Sequence, residues 1–401
     1  MAKQPMTMTI PIGPQHPALK EPENFTITVD GEIVVDVDPR IGYVHRGIEK
    51  AFESRSFSQN VYLAERICGI CSQSHTTCYV QAVEEILDLD VPPRGLYIRG
   101  IMNELNRIHS HILWLGVAGH EIGWDTLFHY SWRDREYAMD VIEEICGNRV
   151  NYANNIIGGV RHDVTKDQVP SMVDRMEKIR DRMQHYLDLI LKEQTILDRA
   201  LGVGILETEV GKALCATGPT ARASDINWDV RNTQPRTPYK ESEGKHWETR
   251  TSDLCDVAGR VVVRILETID SCNCCIDWLN NLPRGDISVR APRRVPPGHA
   301  LSTFEAPRGE VVHYVVSNGS DKPERHKARA PTLGNIPSVV EILKGGKIAD
   351  VPIALASIDP CFSCTDRIIL AYPDGSKEEK PWAWFEQKSR EERERVKSWR
   401  R

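Results

Sequence analysis

The sequence predicts a mainly α (α+β) fold, in which one helical body carries small antiparallel β elements. Two observations indicate this class. Between about residues 48 and 282, several long segments repeat apolar residues at helical spacing. On either side of that region, short β-branched runs are separated by turn-forming residues. The 401 residues contain neither an internal repeat nor a low-complexity linker, so one large body is expected.

The β-branched runs are the predicted strands. Asp30-Gly31 lies between the first two runs, and an Asp-Gly pair in that position is a strong hairpin signal. Asn318-Gly319 marks a turn after the later runs. The predicted strands are Phe25–Val29, Ile33–Val35, Ser302–Glu305 and Gly309–Val316.

The predicted helices follow the apolar periodicity and stop at its breaks. Pro92-Pro93 ends one helix, and residues 227–250 are polar enough to predict an exposed loop. The predicted helices are a segment from Ile48 towards Cys68, one after Cys71, Leu96–Val117, 125–150, 167–202, Ser252–Leu282 and the short Ile336–Leu343.

Composition excludes several functional classes. The net charge of −6 does not indicate a nucleic-acid-binding surface, so no nucleic-acid partner is expected. No apolar run approaches the roughly 20 residues of a membrane-spanning helix, and the first residues lack the pattern of a signal peptide. We therefore expect a cytoplasmic protein whose eleven cysteines are reduced thiols or metal ligands.

Two short cysteine pairs lie almost three hundred residues apart. Cys68 and Cys71 form the first pair, and Cys361 and Cys364 form the second. Four thiolates in two such pairs can hold a soft metal ion. A structural zinc site is the simplest alternative, although its pairs are usually about 15–20 residues apart. A metal held by these four cysteines would join the beginning of the fold to its end.

Other cysteines and histidines are predicted to be structural. His109 and His111 lie on an apolar helical stretch without a partner at coordinating spacing, which favours ordinary core histidines. Three cysteines near residue 273 are too close together on one helix to face one ion, so buried thiols are expected. These three are Cys272, Cys274 and Cys275.

The two motifs also carry a family resemblance. RICGICSQSH (residues 66–75) and DPCFSCTDR (residues 359–367) resemble the signature motifs of nickel–iron hydrogenase large subunits. The second motif ends in Arg367, where many hydrogenases have His. This ending resembles the membrane-associated, energy-converting group 4 branch, which is related to the 49-kDa-type subunit of complex I. GPQHPA and GYVHRG, nearer the N-terminus, resemble the same proteins. The resemblance implies a multi-helical hydrogenase large-subunit-like body with its β elements near the metal site.

The resemblance implies a nickel–iron centre on the four cysteines. All four would bind nickel, and Cys71 and Cys364 would also bridge to an iron that carries carbon monoxide and cyanide. Cys68 and Cys361 would then be terminal ligands, and such a thiolate, with Cys361 the candidate, can act as a base. Such a centre splits or forms hydrogen heterolytically.

Three further residues receive roles by the same resemblance. His75 would hydrogen-bond a bridging sulfur, and Arg308 would lie over the open metal position with its fixed positive charge. A surface arginine in a turn is the alternative for Arg308. Glu21 occupies the position of the family's proton-relay carboxylate. Apart from the resemblance, Asp366 and Arg367 lie next to Cys364, and their opposite charges predict an ion pair that neutralises buried charge.

The electrons of this reaction need a route to and from the metal centre, and that route implies partner subunits. The seven remaining cysteines lack the spacing of an iron–sulfur cluster, so a small subunit with iron–sulfur clusters is expected beside the centre. Integral membrane subunits that translocate ions would hold the protein on the inner face of the cell membrane. A complex I-like or sulfur-reducing subunit that binds quinone or another acceptor is the alternative. Such relatives typically lose part of the four-cysteine set, which is complete here.

Residues 1–367 are expected to form the catalytic domain. Residues 368–401 form a charged extension, which a maturation protease would remove after nickel insertion, as in many relatives. Its charge density fits a segment that does not pack into a core, although three aromatic residues could dock on a partner. These are Trp382, Trp384 and Phe385.

Overall fold

The computed structural model describes residues 7–234, 236–366 and 382–399. The chain divides into two compact units, Met1–Asp366 and Arg367–Arg401. Among the described residues, no helix combines the length and the apolar character needed to cross a bilayer. The first unit has the helical body with small antiparallel sheets that the sequence predicts.

A three-stranded antiparallel sheet begins the first unit. Its strands lie in the order β1 (Thr7–Ile12), β2 (Asn24–Asp30) and β3 (Ile33–Arg40). The predicted hairpin is confirmed, since Asp30 pairs with Ile33 across the turn. One face of this sheet is apolar and contributes to a second core cluster that also contains Phe362 of the later cysteine motif.

The helical body follows the first sheet. Its long helices α4, α5, α6 and α12 pack against one another and bury most of the main core. A small hairpin of β4 (Asn155–Ile156) and β5 (Gly159–Val160) lies between α5 and α6. The helices are α1 (Ile48–Phe52), α2 (Phe57–Glu65), α3 (Ser72–Ile86), α4 (Pro93–Glu121), α5 (Asp125–Cys146), α6 (Val169–Ile190), α7 (Gln194–Ala200), α8 (Thr208–Ala213), α9 (Gly218–Arg222), α10 (Val230–Thr233), α11 (Tyr239–Ser242) and α12 (Val257–Asn280).

Two predicted helices are each divided in the structure. The segment from Ile48 towards Cys68 forms α1 and α2, because Ser56 caps the second helix in a reciprocal pair of hydrogen bonds with Gln59. The segment 167–202 forms α6 and α7, which a break after Leu191 separates. Apolar periodicity alone therefore did not show where these helices are interrupted.

The prediction of an exposed loop at residues 227–250 is correct only in part. This segment contains the short helices α10 and α11, and Tyr239 and Trp247 are buried in the main core. Two of its charged residues, Arg231 and Asp229, are buried as an ion pair 2.7 Å apart, whereas most of the others are exposed. Buried charges with close partners have the same composition as a solvated loop, which is why the sequence was misleading.

A second antiparallel sheet follows α12. Its strands lie in the order β6 (Gly298–Ala306), β7 (Gly309–Ser317) and β8 (Pro323–Arg329). The third strand was not predicted, because its alternating charged residues do not show a β-branched run. Helix α3 packs against β6 and β7, so this sheet lies beside the first cysteine motif.

Three helices complete the described chain. Helices α13 (Pro331–Leu343) and α14 (Val351–Ala356) lead into the second cysteine motif. The helix predicted at Ile336–Leu343 is therefore longer at its start, where Pro331 takes the first helical position. The second unit contains α15 (Trp382–Trp399).

Candidate metal centre

The first cysteine pair lies in the turn between α2 and α3. Cys68 is in the turn, and Cys71 immediately precedes the first residue of α3. The backbone N–H groups of Ile70 and Cys71 lie 3.4 and 3.5 Å from Cys68 Sγ. Backbone donors aimed at a sulfur favour its thiolate form, as a metal ligand requires.

The second pair is held by its own backbone and by the N-terminal sheet. The backbone N–H of Cys361 donates to Thr332 Oγ1 at 3.2 Å, and the Thr365 hydroxyl donates to the Cys361 carbonyl at 2.7 Å. The ring of Phe362 packs on Phe25 of β2, with ring centroids 6.0 Å apart. The β-sheet at the start of the chain thus positions the cysteines near its end.

The four sulfurs meet in the interior. Cys68 Sγ lies 3.0 Å from Cys361 Sγ, well beyond the roughly 2.05 Å of a disulfide bond, and all four thiols are free. The Sγ atoms of Cys68, Cys71 and Cys364 lie within 4.8 Å of one another. All four residues are buried. The structure therefore brings together the complete set of sulfurs that the sequence predicted as ligands, from both ends of the first unit.

The electrostatics of the cluster fit a cation. The hydrogen bond with Cys361 lowers the pKa of Cys68 well below the usual value of a thiol. A hydrogen bond with Cys364 lowers the pKa of Cys361, whereas interaction with Cys361 raises the pKa values of Cys71 and Cys364. Four adjacent sulfurs cannot all ionise without positive charge between them, and a thiol that coordinates a metal ion loses its proton outright. The residues present therefore fit a soft metal.

Arg308 lies beside the sulfurs in the turn between β6 and β7. Its guanidinium donates to the Asp359 carbonyl and to Asp359 Oδ1, each at 2.7 Å, and to Ser110 Oγ at 3.2 Å. Burial alone would lower the pKa of Arg308, but the charges of Asp359 and Cys361 raise it above its ordinary value. Arg308 is only 2% exposed, which excludes the alternative of a surface arginine.

Glu21 reaches the second motif from the segment between β1 and β2. Its Oε2 accepts a 2.8 Å hydrogen bond from the backbone N–H of Ser363, which lies between the two motif cysteines. Partial burial, together with the negative charge of Cys361, raises the pKa of Glu21 above the ordinary value. The structure thus places a half-buried carboxylate at the edge of the sulfur cluster.

Asp366 binds the N-terminal segment. Its Oδ2 accepts a 2.6 Å hydrogen bond from the backbone N–H of Val44. Glu23 lies beside it, and burial together with Asp366 raises the pKa of Glu23 to about 9. The predicted ion pair of Asp366 with Arg367 stays a prediction, because Arg367 lies outside the described residues.

Arg46 is a site residue that the sequence reasoning missed. Its guanidinium donates to the carbonyls of Arg66 and Ile67, at 2.8 and 2.5 Å, and to the carbonyl of Ser363 at 2.8 Å. One side chain therefore ties both cysteine motifs together. The family resemblance of the GYVHRG segment could have drawn attention to Arg46. Nothing in that segment alone, however, indicates its contacts with the two motifs.

The histidines fall into two environments. His75 is buried on α3, and its Nδ1 lies 3.0 Å from His313 Nε2. His109 contacts the Tyr152 hydroxyl at 2.8 Å, and His111 Nε2 lies 3.1 Å from Glu267 Oε2. His109 and His111 therefore have ordinary hydrogen-bonding partners in the core, as expected. Whether His75 bonds a metal-bound sulfur stays a prediction.

The remaining cysteines do not join the sulfur cluster. Cys272, Cys274 and Cys275 are buried on α12 and belong to the main core, as the sequence predicted. Within the described ranges, the motif sulfurs form the one group of three or more cysteine, histidine or carboxylate side chains with the spacing of a metal site.

Comparison with family models defines the class. Residues 46–168 match the nickel-dependent hydrogenase family, and residues 121–294 and 289–367 match the 49 kDa subunit of respiratory-chain NADH dehydrogenase. The chain belongs to this family of hydrogenase large subunits and related complex I subunits.

Individual relatives narrow the comparison. The chain is 42% identical over 383 residues to the membrane-bound hydrogenase subunit alpha of Pyrococcus furiosus, covering 92% of this chain and 90% of that protein. It is 38% identical over 362 residues to the carbon monoxide-induced hydrogenase of Rhodospirillum rubrum, covering 90% of this chain and 99% of that protein. These relatives support the group 4 resemblance.

A solved structure has the same fold. A chain of the membrane-bound sulfane sulfur reductase, an archaeal respiratory membrane complex, matches with a TM-score of 0.85 at 30% identity. The match covers 90% of this chain and 98% of that one. The multi-helical large-subunit-like fold is thereby confirmed, and the family includes reductases of another substrate.

Proposed function

We propose that this chain is the catalytic subunit of a membrane-associated nickel–iron hydrogenase, which reduces protons and oxidises hydrogen reversibly. The observation that carries the proposal is the convergence of four buried, unoxidised thiols from both ends of the first unit. Soft thiolates suit nickel and low-spin iron. The identity to hydrogenase subunits supports the same conclusion.

The four cysteines would hold the metals. Cys68, Cys71, Cys361 and Cys364 would ligate nickel, with Cys71 and Cys364 shared with iron. When bound, a nickel–iron centre with carbon monoxide and cyanide on iron supplies heterolytic cleavage and formation of hydrogen. Each residue around it then has to orient a group, exclude water or move a proton.

Arg308 supplies a fixed positive charge at this site. Two hydrogen bonds to Asp359 and one to Ser110 hold the planar guanidinium in one orientation. Because a guanidinium does not lose its proton at physiological pH, it polarises a neighbouring group without competing for the proton being transferred. Its burial keeps this charge from being screened by water.

Glu21 would carry the proton away from the cluster. A terminal thiolate, Cys361, would accept the proton first, and the Glu21 carboxylate lies one hydrogen bond from the intervening Ser363 backbone. Burial raises the pKa of Glu21 towards the range in which a carboxylate exchanges protons efficiently near neutral pH. Its position at the edge of the cluster suits transfer between the buried sulfurs and the outside.

Electrons would pass through a partner. The described cysteines outside the motifs do not assemble into a cluster-binding set. We infer a small subunit with iron–sulfur clusters, and integral membrane subunits that couple turnover to ion movement. The names of the relatives, a membrane-bound hydrogenase and a respiratory membrane complex, support attachment to membrane subunits. We place this chain at the inner face of the membrane as part of the same proposal.

The C-terminal extension is proposed to be temporary. Removal of residues 368–401 after metal insertion would leave a catalytic domain of residues 1–367. Intact-mass measurement of the active, nickel-loaded protein tests this directly. A chain that ends at Arg367 supports processing, and an active chain that ends at Arg401 contradicts it.

Metal analysis together with a hydrogen assay tests the main proposal. The purified complex is expected to contain nickel and iron and to evolve or consume hydrogen. The solved reductase favours one alternative, a sulfur- or quinone-reducing subunit, which would turn over its acceptor without hydrogen activity. Zinc alone would instead indicate a structural site. Either of these results contradicts the hydrogenase proposal.

A further inference from the structure

Three buried histidines form a continuous hydrogen-bonded chain. His75 of α3 contacts His313 of β7, with Nδ1 and Nε2 3.0 Å apart. His313 Nδ1 in turn lies 3.0 Å from Nε2 of His326 on β8. All three side chains are at most 1% exposed. The chain begins on the helix that follows the first cysteine motif and ends inside the second sheet.

The two ends of the chain have different surroundings. His75 Nε2 and His326 Nδ1 are both buried without a hydrogen-bonding partner among the described residues. The His326 ring stacks on Phe52, with centroids 3.8 Å apart, and meets the edge of Tyr79. His75, by contrast, experiences the negative charge of Cys361. One end therefore lies against aromatic rings, and the other lies one helical turn after Cys71, whose carbonyl accepts a 3.2 Å hydrogen bond from the His75 backbone N–H.

The three rings are neutral, because burial lowers the pKa of His75 to about 4, that of His326 to about 3 and that of His313 well below its ordinary value. Each ring then carries one proton, and each of the two contacts needs one. Only two arrangements satisfy both contacts. Either all three rings are protonated at Nε2, or all three are protonated at Nδ1. The proton position on His75 is thus coupled to those on His313 and His326.

The surroundings select the first arrangement. Protonation at Nδ1 would leave a buried N–H of His326 against aromatic rings without an acceptor, which costs about 1–3 kcal/mol. It would also leave the bare Nε2 on His75, on which the negative charge of Cys361 acts. Protonation at Nε2 leaves no unpartnered N–H on His326 and places that N–H on His75, where the charge of Cys361 favours a donor.

We propose that His313 and His326 are positioning residues that fix His75 as an Nε2–H donor towards the sulfur cluster. The inference rests on the proposed function only for its consequence, a donor to a metal-bound sulfur. Partners behind a residue that contacts a metal ligand set its tautomer and orientation. The row of three histidines ends at Phe52 and Tyr79, away from solvent. Its role is therefore to hold the His75 ring in place rather than to conduct protons to solvent.

Nitrogen-15 solid-state NMR of the histidine-labelled complex tests the proposal, because the two ring nitrogens differ in shift when protonated or bare. A spectrum of His75→Gln identifies the His75 signals by their loss. Wild type is expected to show one His75 population, protonated at Nε2. His313→Phe keeps ring volume but removes both nitrogens, so it is expected to show both tautomers. A wild-type signal protonated at Nδ1, or an unchanged His75 signal in His313→Phe, would overturn the proposal.

Matched variants separate positioning from general damage. His299→Phe makes the same change at an exposed histidine of β6 and is expected to leave the His75 signal unchanged. His326→Phe keeps the stack on Phe52, and it also tests the proposal should His313→Phe fail to assemble. It is expected to give a second His75 population, and its absence would count against the proposal.

A functional readout follows from the same variants. With nickel content unchanged, turnover is expected to fall about tenfold in His313→Phe and to recover in part in His313→Gln, which retains a donor and an acceptor. Equal turnover in wild type and His313→Phe would contradict the positioning role. The NMR result does not require hydrogen turnover, so failure of the hydrogenase proposal alone would leave the tautomer test intact.

Discussion

Two groups of buried cysteines differ in their surroundings although the residues are the same. The motif group converges from two distant segments, and Cys68 Sγ and Cys361 Sγ lie 3.0 Å apart. The α12 group, Cys272, Cys274 and Cys275, is equally buried but projects from neighbouring positions of one helix into the core. Only the first group has the geometry of a metal site.

The difference shows which factors make a thiol a ligand. Burial raises the pKa of each α12 thiol, so these cysteines remain protonated and behave as small apolar residues. At Cys68, hydrogen bonds from neighbouring thiols and the positive charge of Arg308 outweigh burial and lower the pKa. Donors and charge around a sulfur therefore decide its chemistry, and burial alone does not.

The largest expected effect is at a motif cysteine. Cys361→Ser replaces a soft thiolate with a hard oxygen and is expected to reduce bound nickel and hydrogen turnover at least about 100-fold. Cys275→Ala is the matched control: metal content is expected to stay near normal, with a loss of about 1 kcal/mol in the free energy of unfolding. Elemental analysis and a hydrogen assay check both. Full activity in Cys361→Ser would remove the distinction between the two groups.

The next effect concerns the charge that distinguishes the motif group. Arg308→Lys keeps a positive charge but loses the fork that binds Asp359 at two points. Turnover is expected to fall roughly 10- to 100-fold while nickel content stays near that of wild type. Steady-state hydrogen assays normalised to nickel check this. Turnover equal to wild type would mean that orientation of the guanidinium is unimportant.

Proton transfer is expected to be affected at Glu21. Glu21→Gln keeps the shape and the contact to Ser363 but removes the titratable group, so turnover is expected to fall about tenfold or more with metal content intact. The enzyme-catalysed exchange between hydrogen gas and deuterium from the solvent should slow to the same degree. Glu32→Gln, at an exposed position of the first hairpin, serves as the control. If Glu21→Gln exchanges as fast as this control, the proton leaves by another route.

The last effect concerns stability rather than turnover and is a pH dependence at Glu23. Its pKa is raised from 4.5 to about 9, so between these values the folded state holds a proton that the unfolded state releases. The free energy of unfolding therefore falls as pH rises, by at most about 1.4 kcal/mol per pH unit from this group. Glu23→Gln cannot ionise, so thermal unfolding should show it gaining stability over wild type from pH 5 to pH 8. A constant difference would show that Glu23 is ionised in the fold.

Some features were readable from the sequence because their signals are local. The Asp30-Gly31 hairpin follows from turn chemistry, and the long helices follow from apolar periodicity. The motif cysteines were identified by spacing and residue type together with the family resemblance. The structure shows them buried and close together, and their role as metal ligands stays a prediction.

Other features were missed because they depend on contacts between distant residues. Arg46 looks like an ordinary surface cation in the sequence, yet it holds the carbonyls of both motifs. His313 and His326 lie on strands with alternating polar residues, where a buried histidine cannot be told from an exposed one. The buried ion pair of Arg231 with Asp229 lies in a segment that is otherwise polar and largely exposed, so its burial could not be read from composition. A polar residue can be buried where the fold supplies a residue that pairs with it, and the sequence pattern does not show which residue that is.

Infrared spectroscopy of the purified complex tests the central claim most directly, because iron-bound carbon monoxide and cyanide absorb where protein groups do not. The account predicts these bands in wild type and in Cys275→Ala, and their loss in Cys361→Ser. A wild-type spectrum without them, in a protein that retains its four free motif thiols or holds zinc alone, would contradict the assignment of a nickel–iron centre to this cluster.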